Sequence, residues 1–168
     1  MSCLFNIDPT WNIDDYKNLT YTLDKHKDQE LNDQYIKAGH QEVSLSLYNY
    51  FEPNPMPESI EYIKSYFTKY NKISVAINLF KPGQYMPFHY DLFQKFKKYH
   101  NVEEGSNICR YMVMLEDSYQ GQMLQVGDRI YNQWQAGDVF GWCGYSMHTF
   151  YNLGINDRYA VQITGAIC

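Results

Sequence analysis

The chain has 168 residues, 45% of them hydrophobic and 20% charged, and carries a net charge of −5. That length forms one domain with a substantial core and leaves no room for a second, so residues 1–168 read as a single domain. The acidic balance argues against a nucleic-acid backbone as partner.

No apolar run reaches membrane-spanning length, so no membrane partner is expected. Met1–Asn6 has neither a basic nor an apolar leader segment, which makes a cytoplasmic location the expectation. Cys3, Cys109, Cys143 and Cys168 are scattered and form no CxxC pair. They suggest neither a zinc knuckle nor a disulfide framework, and a reducing setting follows as the default.

Residues 1–72 read as a mixed helical and strand flank. Lys27 to Gly39 is a polar helix candidate closed by its glycine, and Val43, Leu45 and Leu47 alternate with polar neighbours as a half-buried strand does. After the Pro53–Pro57 connector, Ile60, Ile63 and Phe67 recur at helical spacing within Glu58–Asn71. From Ile73 the period becomes two. Ile73, Val75, Ile77 and Leu79 open a strand that Lys81-Pro82-Gly83 breaks and Tyr85–Asp91 resumes. Further strands are expected over Ile108–Leu115, Gly121–Val126, Arg129–Tyr131, Val139–Cys143, Met147–Leu153 and Arg158–Thr164, with Gly127-Asp128 as a hairpin turn. Short strands punctuated by turns predict a mainly β (α+β) chain. Its core, over 73–166, is expected to be a double-sheet jelly roll behind an N-terminal helical flank. Leu92–Gly105 shows no strand alternation and mixes Lys95, Lys97 and Lys98 with aromatics. It is expected as a mobile lid that attracts acidic or anionic substrates. Trp134 and Trp142 read as core aromatics.

Within this frame His89-Tyr90-Asp91 and the later His148 stand in the order of a non-haem Fe(II) site. Residues i and i+2 of a strand share a side, so His89 and Asp91 can converge on one ion while His148 arrives from a second strand. Three protein ligands leave three coordination positions, enough for a bidentate 2-oxo acid and O2. Arg158, ten residues after His148, is placed to take a distal carboxylate through a two-pronged ion pair. Tyr85 or Thr149 is a candidate third group at that carboxylate, and Asn78 and Arg110 are further co-substrate candidates. Arg110 faces either the co-substrate or solvent.

These residues give the second half, about Ile73 to Gly165, a resemblance to the double-stranded β-helix, the cupin-like jelly-roll core, of the Fe(II)/2-oxoglutarate-dependent dioxygenases. Asn78-Leu79-Phe80-Lys81-Pro82-Gly83 followed by His89-Tyr90-Asp91 is similar to the N-x-Y-x-P-G…H-x-D stretch of alkylated-base demethylases, with Phe80 in place of the Tyr and Thr164 where a second Arg would stand. Trp134-Gln135-Ala136-Gly137, then His148, Asn152 and Arg158, resembles the W-x-x-G…H…N…R rhythm of prolyl hydroxylases and aspartyl/asparaginyl hydroxylases. The resemblance implies a hydroxylase that uses Fe(II), 2-oxoglutarate and O2. Its substrate would be a protein Pro, Asn or Asp side chain or a small molecule. Two other classes stay open: a non-catalytic jelly-roll module for a sugar or metabolite, and a redox-neutral metal cupin. Neither has a use for a cation at Arg158.

Overall fold

The computed structural model describes residues 3–167. In chain order they form β1 (Phe5–Asn6), α1 (Asp14–Lys17), β2 (Thr22–Lys25), α2 (Gln29–Lys37), β3 (Ser46–Phe51), α3 (Glu58–Lys64), β4 (Lys72–Phe80), β5 (Tyr85–His89) and α4 (Gln94–His100). Then come β6 (Ile108–Met114), β7 (Gln122–Val126), β8 (Arg129–Tyr131), β9 (Asp138–Cys143), β10 (His148–Asn152) and β11 (Arg158–Ala166). No helix among the described residues is long and apolar enough to cross a membrane.

The strands form two antiparallel sheets, a jelly roll. The larger runs β1-β9-β6-β11-β4-β3-β2 and the smaller β5-β10-β7-β8. The last strand therefore lies at the centre of the larger sheet, between β6 and β4, with Arg158 opposite Phe80. Strand alternation divides the two faces of that sheet. Val75, Ile77, Leu79, Val161 and Ile163 point outward into a core shared with Ile60, Ile63 and Phe67 of the α3 region. Phe80, Met112, Met114, Phe140, Trp142 and Ala160 point inward, against Leu124, Trp134 and Phe150 of the opposing side. The site is built on this inner face.

The flank takes part in the larger sheet: β3 pairs with β4 and β2 with β3, while β1 closes the far edge on β9. Gly137 makes that edge possible. Its φ is +89°, and a Cβ there would meet the Ile7 carbonyl at 1.9 Å.

Several local expectations shift. α2 begins at Gln29 because the Asp28 carboxylate accepts the Leu31 N–H at 3.0 Å as an N-cap, and Gly39 follows its end at φ +102°. The segment 42–44 is a 3₁₀ turn, with Ser46 Oγ donating to the Val43 carbonyl, so the predicted strand over 43–47 starts only at Ser46. The helix from Glu58 tightens into a 3₁₀ turn at 65–67, where Ser65 Oγ donates to the Tyr62 carbonyl at 2.6 Å.

Two expectations are corrected. The Leu92–Gly105 segment, expected as a lid rich in exposed lysine, carries α4, whose Phe96 is buried with Phe93 and Val102 against Ile108 and Ala166, so one side of it is packed. Lys97 is turned to Glu104 at 2.8 Å, and of the three lysines only Lys95 lines the cavity described below. The cysteines are not all free: Cys109 and Cys143 face each other across β6 and β9 and form a disulfide. Sequence separation hides this pair, whereas strand register creates it. The bond also removes the cysteine argument for a reducing setting.

Candidate metal centre

His89 ends β5 and stands directly opposite His148, the first residue of β10. Asp91 follows two residues after His89, just beyond the strand end. Ligand atoms of these three side chains lie within 4.8 Å of one another. His148 is 6% exposed and Asp91 9%, so the group is nearly dry.

The two imidazoles are oriented by their outer nitrogens. His89 Nδ1 lies 2.6 Å from the Pro87 carbonyl, and His148 Nδ1 lies 2.9 Å from the Ser146 carbonyl. A carbonyl only accepts, so each Nδ1 carries the proton and each Nε2 presents a lone pair inward. Burial is also the main influence on both rings. It pushes His148 down to about 4 and lowers His89, with the Asp91 charge opposing in each case. Both rings are neutral near pH 7.

Asp91 stays ionised. Burial acts to raise its carboxyl, but Arg110 above all, then His148, His89 and the Trp142 N–H, bring it below the usual carboxylate range. Its Oδ1 accepts from Arg110 Nη1 at 2.5 Å and its Oδ2 from Trp142 Nε1 at 3.2 Å. The Nε2 atoms of His148 and His89 lie 3.4 and 3.9 Å from these oxygens. Neutral imidazole lone pairs therefore face a carboxylate with no proton between them. A divalent cation at the convergence resolves that opposition, and the donor set of two imidazoles and one carboxylate suits a first-row metal with open positions.

The larger sheet supplies the supports. Arg110 on β6 stands beside Trp142 on β9 and Thr164 on β11, and its Nε donates to Thr164 Oγ1 at 3.4 Å. The Phe93 ring lies 5.1 Å from the guanidinium carbon. Phe93 holds φ +55°, an uncommon backbone for an aromatic residue, and this kink turns the chain from the ligands into α4. The Trp142 ring leans on His148 at 4.3 Å. Trp142, read from sequence as a core aromatic, is one, and its N–H on Asp91 makes it a positioning residue as well. The signal for it was the inward parity it shares with Phe140 on β9. His26, from the flank, also went unnoticed in sequence; its ring meets His89 edge-on at 4.8 Å.

A cavity of about 480 Å³ opens over His89 and Asp91, lined also by Arg110 and Asn78 among others. Asn78 Nδ2 donates to Gln162 Oε1 at 3.2 Å on its floor. Arg110 therefore faces this cavity rather than bulk solvent.

Tyr85 is not brought to the centre. Its hydroxyl hydrogen-bonds His40 Nδ1, and it lines a separate surface hollow with Tyr35 and Tyr151. Alternation along β5 is interrupted where the register with β10 shifts between His148 and Phe150, which explains the displacement. Thr149 is also unavailable, because its hydroxyl donates to the Met86 carbonyl at 2.6 Å.

Arg158 lies deeper, outside the lining of that cavity, and is 3% exposed. Its guanidinium carbon sits 3.3 Å from the Phe150 ring centroid, with Trp134 and Phe80 further off, and Nη2 reaches Met114 Sδ at 2.8 Å. Among the described residues, Nε and Nη1 have no partner. Burial alone holds its pKa well below the usual arginine range. Phe150 shares a face of β10 with His148, so the cation lies about 7 Å further along that strand at roughly 3.3 Å per residue.

No protein-family model matches the chain, and no curated protein sequence matches it. Solved structures do share its fold. A Pseudomonas putida prolyl-4-hydroxylase is 13% identical, with a TM-score of 0.58 over 93% of this chain and 97% of that one. A Cupin 2 conserved barrel domain protein from Salinispora arenicola is 12% identical, at TM-score 0.42 over 77% and 82% of the two chains. The Schizosaccharomyces pombe Cnp3 cupin domain is 11% identical, at TM-score 0.43 over 71% and 64%. The likeness to the Pseudomonas putida structure supports the jelly roll that the two antiparallel sheets form.

Proposed function

We propose that this chain is an Fe(II)- and 2-oxoglutarate-dependent oxygenase that hydroxylates an unactivated C–H bond of a protein Pro, Asn or Asp side chain or of a small molecule. One observation carries the reading. In the same barrel as the neutral-histidine and carboxylate triad, Arg158 keeps a buried guanidinium with no counter-anion and two orphaned donor nitrogens. An isolated buried charge is costly, and a chain keeps one where a ligand neutralises it. A short dicarboxylate would use both, its 2-oxo acid end at the open metal positions and its far carboxylate at Arg158, which it would have to reach beyond the lining of the cavity described above.

Fe(II) held by His89, Asp91 and His148 would supply O2 activation coupled to 2-oxoglutarate decarboxylation. The protein's own residues do the rest. The Pro87 and Ser146 carbonyls fix which imidazole nitrogen is offered, and Arg110 and Trp142 fix the Asp91 carboxylate. The wall formed by Phe80, Met114, Trp134 and Phe150 excludes water from the deep end, where the Arg158 charge pair is strongest. A sugar-binding module or redox-neutral cupin gives no reason for that cation.

The test is anaerobic. Fe(II) and 2-oxoglutarate together should produce a weak visible charge-transfer band that neither gives alone. No band at saturating concentrations of both refutes the assignment.

A further inference from the structure

Arg110 is a second cation at this centre, and the co-substrate does not account for it. The site holds the Asp91 carboxylate with two guanidinium groups, Arg110 and Arg158, around the place of a divalent metal. Counted with that metal the centre carries three positive charges; a dianionic 2-oxo acid leaves one. The charged rim does not cancel it. Lys95 is matched to Asp24 at 3.7 Å and Lys25 to Glu42 at 3.0 Å, and the Asp28 charge is offset by Lys27 beside it on the same rim. The residual charge sits where substrate must approach, on Arg110 in the cavity wall.

The chemistry of Arg110 agrees. Of the five guanidinium N–H groups, one goes to Asp91 and one to Thr164, so three are unspent. The group is clamped over Phe93 and between two strands, so its fork is pre-positioned at little entropic cost. A water-exposed arginine serving only Asp91 would not need to line the cavity. We infer that Arg110 is a substrate-anchoring residue and that the substrate bears a carboxylate close to the carbon presented to the metal. A free amino or other organic acid meets this requirement, as does a side-chain or C-terminal carboxylate of a peptide. This inference rests on the co-substrate reading for its charge count, but its test does not.

Mn(II)-loaded protein broadens the proton NMR signals of any small molecule held near the metal. The probes are matched pairs, a set of N-acetyl amino acids and their primary amides, run with and without 2-oxoglutarate. Acids should broaden at concentrations about tenfold or more below their amides, as one charge-assisted pair implies. Arg110→Gln should erase the preference and Arg110→Lys keep part of it, both read with the site saturated with Mn(II) as followed by electron paramagnetic resonance, because losing the Arg110 bond to Asp91 also weakens Mn(II) affinity. Equal broadening of acids and amides overturns the inference. So does an unchanged preference in Arg110→Gln, which would mean direct ligation to the metal. Loss of Mn(II) binding in both variants also overturns it, since Arg110 would then serve only Asp91. If 2-oxoglutarate fails to bind while the Arg110-dependent preference persists, the oxygenase assignment falls and the anchor stands.

Discussion

Arg158→Met should make the ligand-free protein more stable and abolish its response to 2-oxoglutarate. In the wild type, Nε and Nη1 are buried without partners. Each orphaned donor costs about 1 to 3 kcal/mol, and more when it belongs to a charged group. Against this stands the contact with the Phe150 face at 3.3 Å, worth about 2 kcal/mol when desolvated, together with the bond to Met114 Sδ. Methionine fills most of the volume and keeps the apolar wall intact. The balance is a gain of about 1 to 3 kcal/mol, or roughly 3 to 9 °C for a chain of this size. Calorimetric melts of metal-free protein read this directly. In parallel, 2-oxoglutarate added to Mn(II)-loaded wild type at a hundred times its dissociation constant should add about 2.7 kcal/mol, and to the variant nothing. A ligand-free variant that melts below the wild type would show that the guanidinium already has a compensating partner. A retained 2-oxoglutarate shift would show that the distal carboxylate binds elsewhere. Either result removes the reasoning that assigns Arg158 its role.

Trp142→Phe keeps a ring against His148 but deletes the N–H on Asp91 Oδ2, so Mn(II) affinity should fall about tenfold or more in an isothermal titration, with the circular dichroism spectrum unchanged. Metal-free protein should lose stability as pH falls from about 6.5 toward 4: folded His148 is pushed down to about 4, so the unfolded chain binds the proton first. The loss approaches about 3 kcal/mol in urea melts, and a His148→Gln variant that follows the same pH profile would refute this assignment. Cys143→Ser opens the 34-residue separation closed by the disulfide and should lower stability by about 3 to 4 kcal/mol. Identical melts of wild-type protein with and without dithiothreitol would contradict that bond.

Much of the jelly roll was legible because its strands are short, alternating and bounded by glycine or proline. The nine-residue run from Lys72 to Phe80 shows period two throughout, and its outer face of Val75, Ile77 and Leu79 packs as that alternation requires. Weak local signals misled. Val43, Leu45 and Leu47 alternate like a strand, yet a 3₁₀ turn at 42–44 delays the strand to Ser46. Leu92–Gly105 lacked alternation because it is helical: Phe93, Phe96 and Val102 form one buried side, while Lys97 and Lys98 lie outside the cavity lining. The strands β1 and β2 have two and four residues, and their pairing depends on edges supplied by residues more than a hundred or about twenty positions away.

The centre divides along the same line. His89 and Asp91 could be paired from sequence because i and i+2 on a strand is a local relation. His148 followed from needing a third ligand on another strand. The residues that decide how the ligands behave are related only through register. Arg110 meets Trp142 and Thr164 because β6 lies between β9 and β11, and Asp91 meets Arg110 and Trp142 where Phe93 turns the chain into α4. Tyr85 shows the converse: a shifted register at β5 carries a chemically suitable hydroxyl out of the site and into contact with His40. Arg158 could be located in sequence but not valued there. A conventional surface arginine and a buried, uncompensated cation have the same letter, and only packing against Phe80, Trp134 and Phe150 separates them. That packing is costly in the empty protein, and on that cost rests the proposal that an anionic ligand reaches the deep end of the barrel.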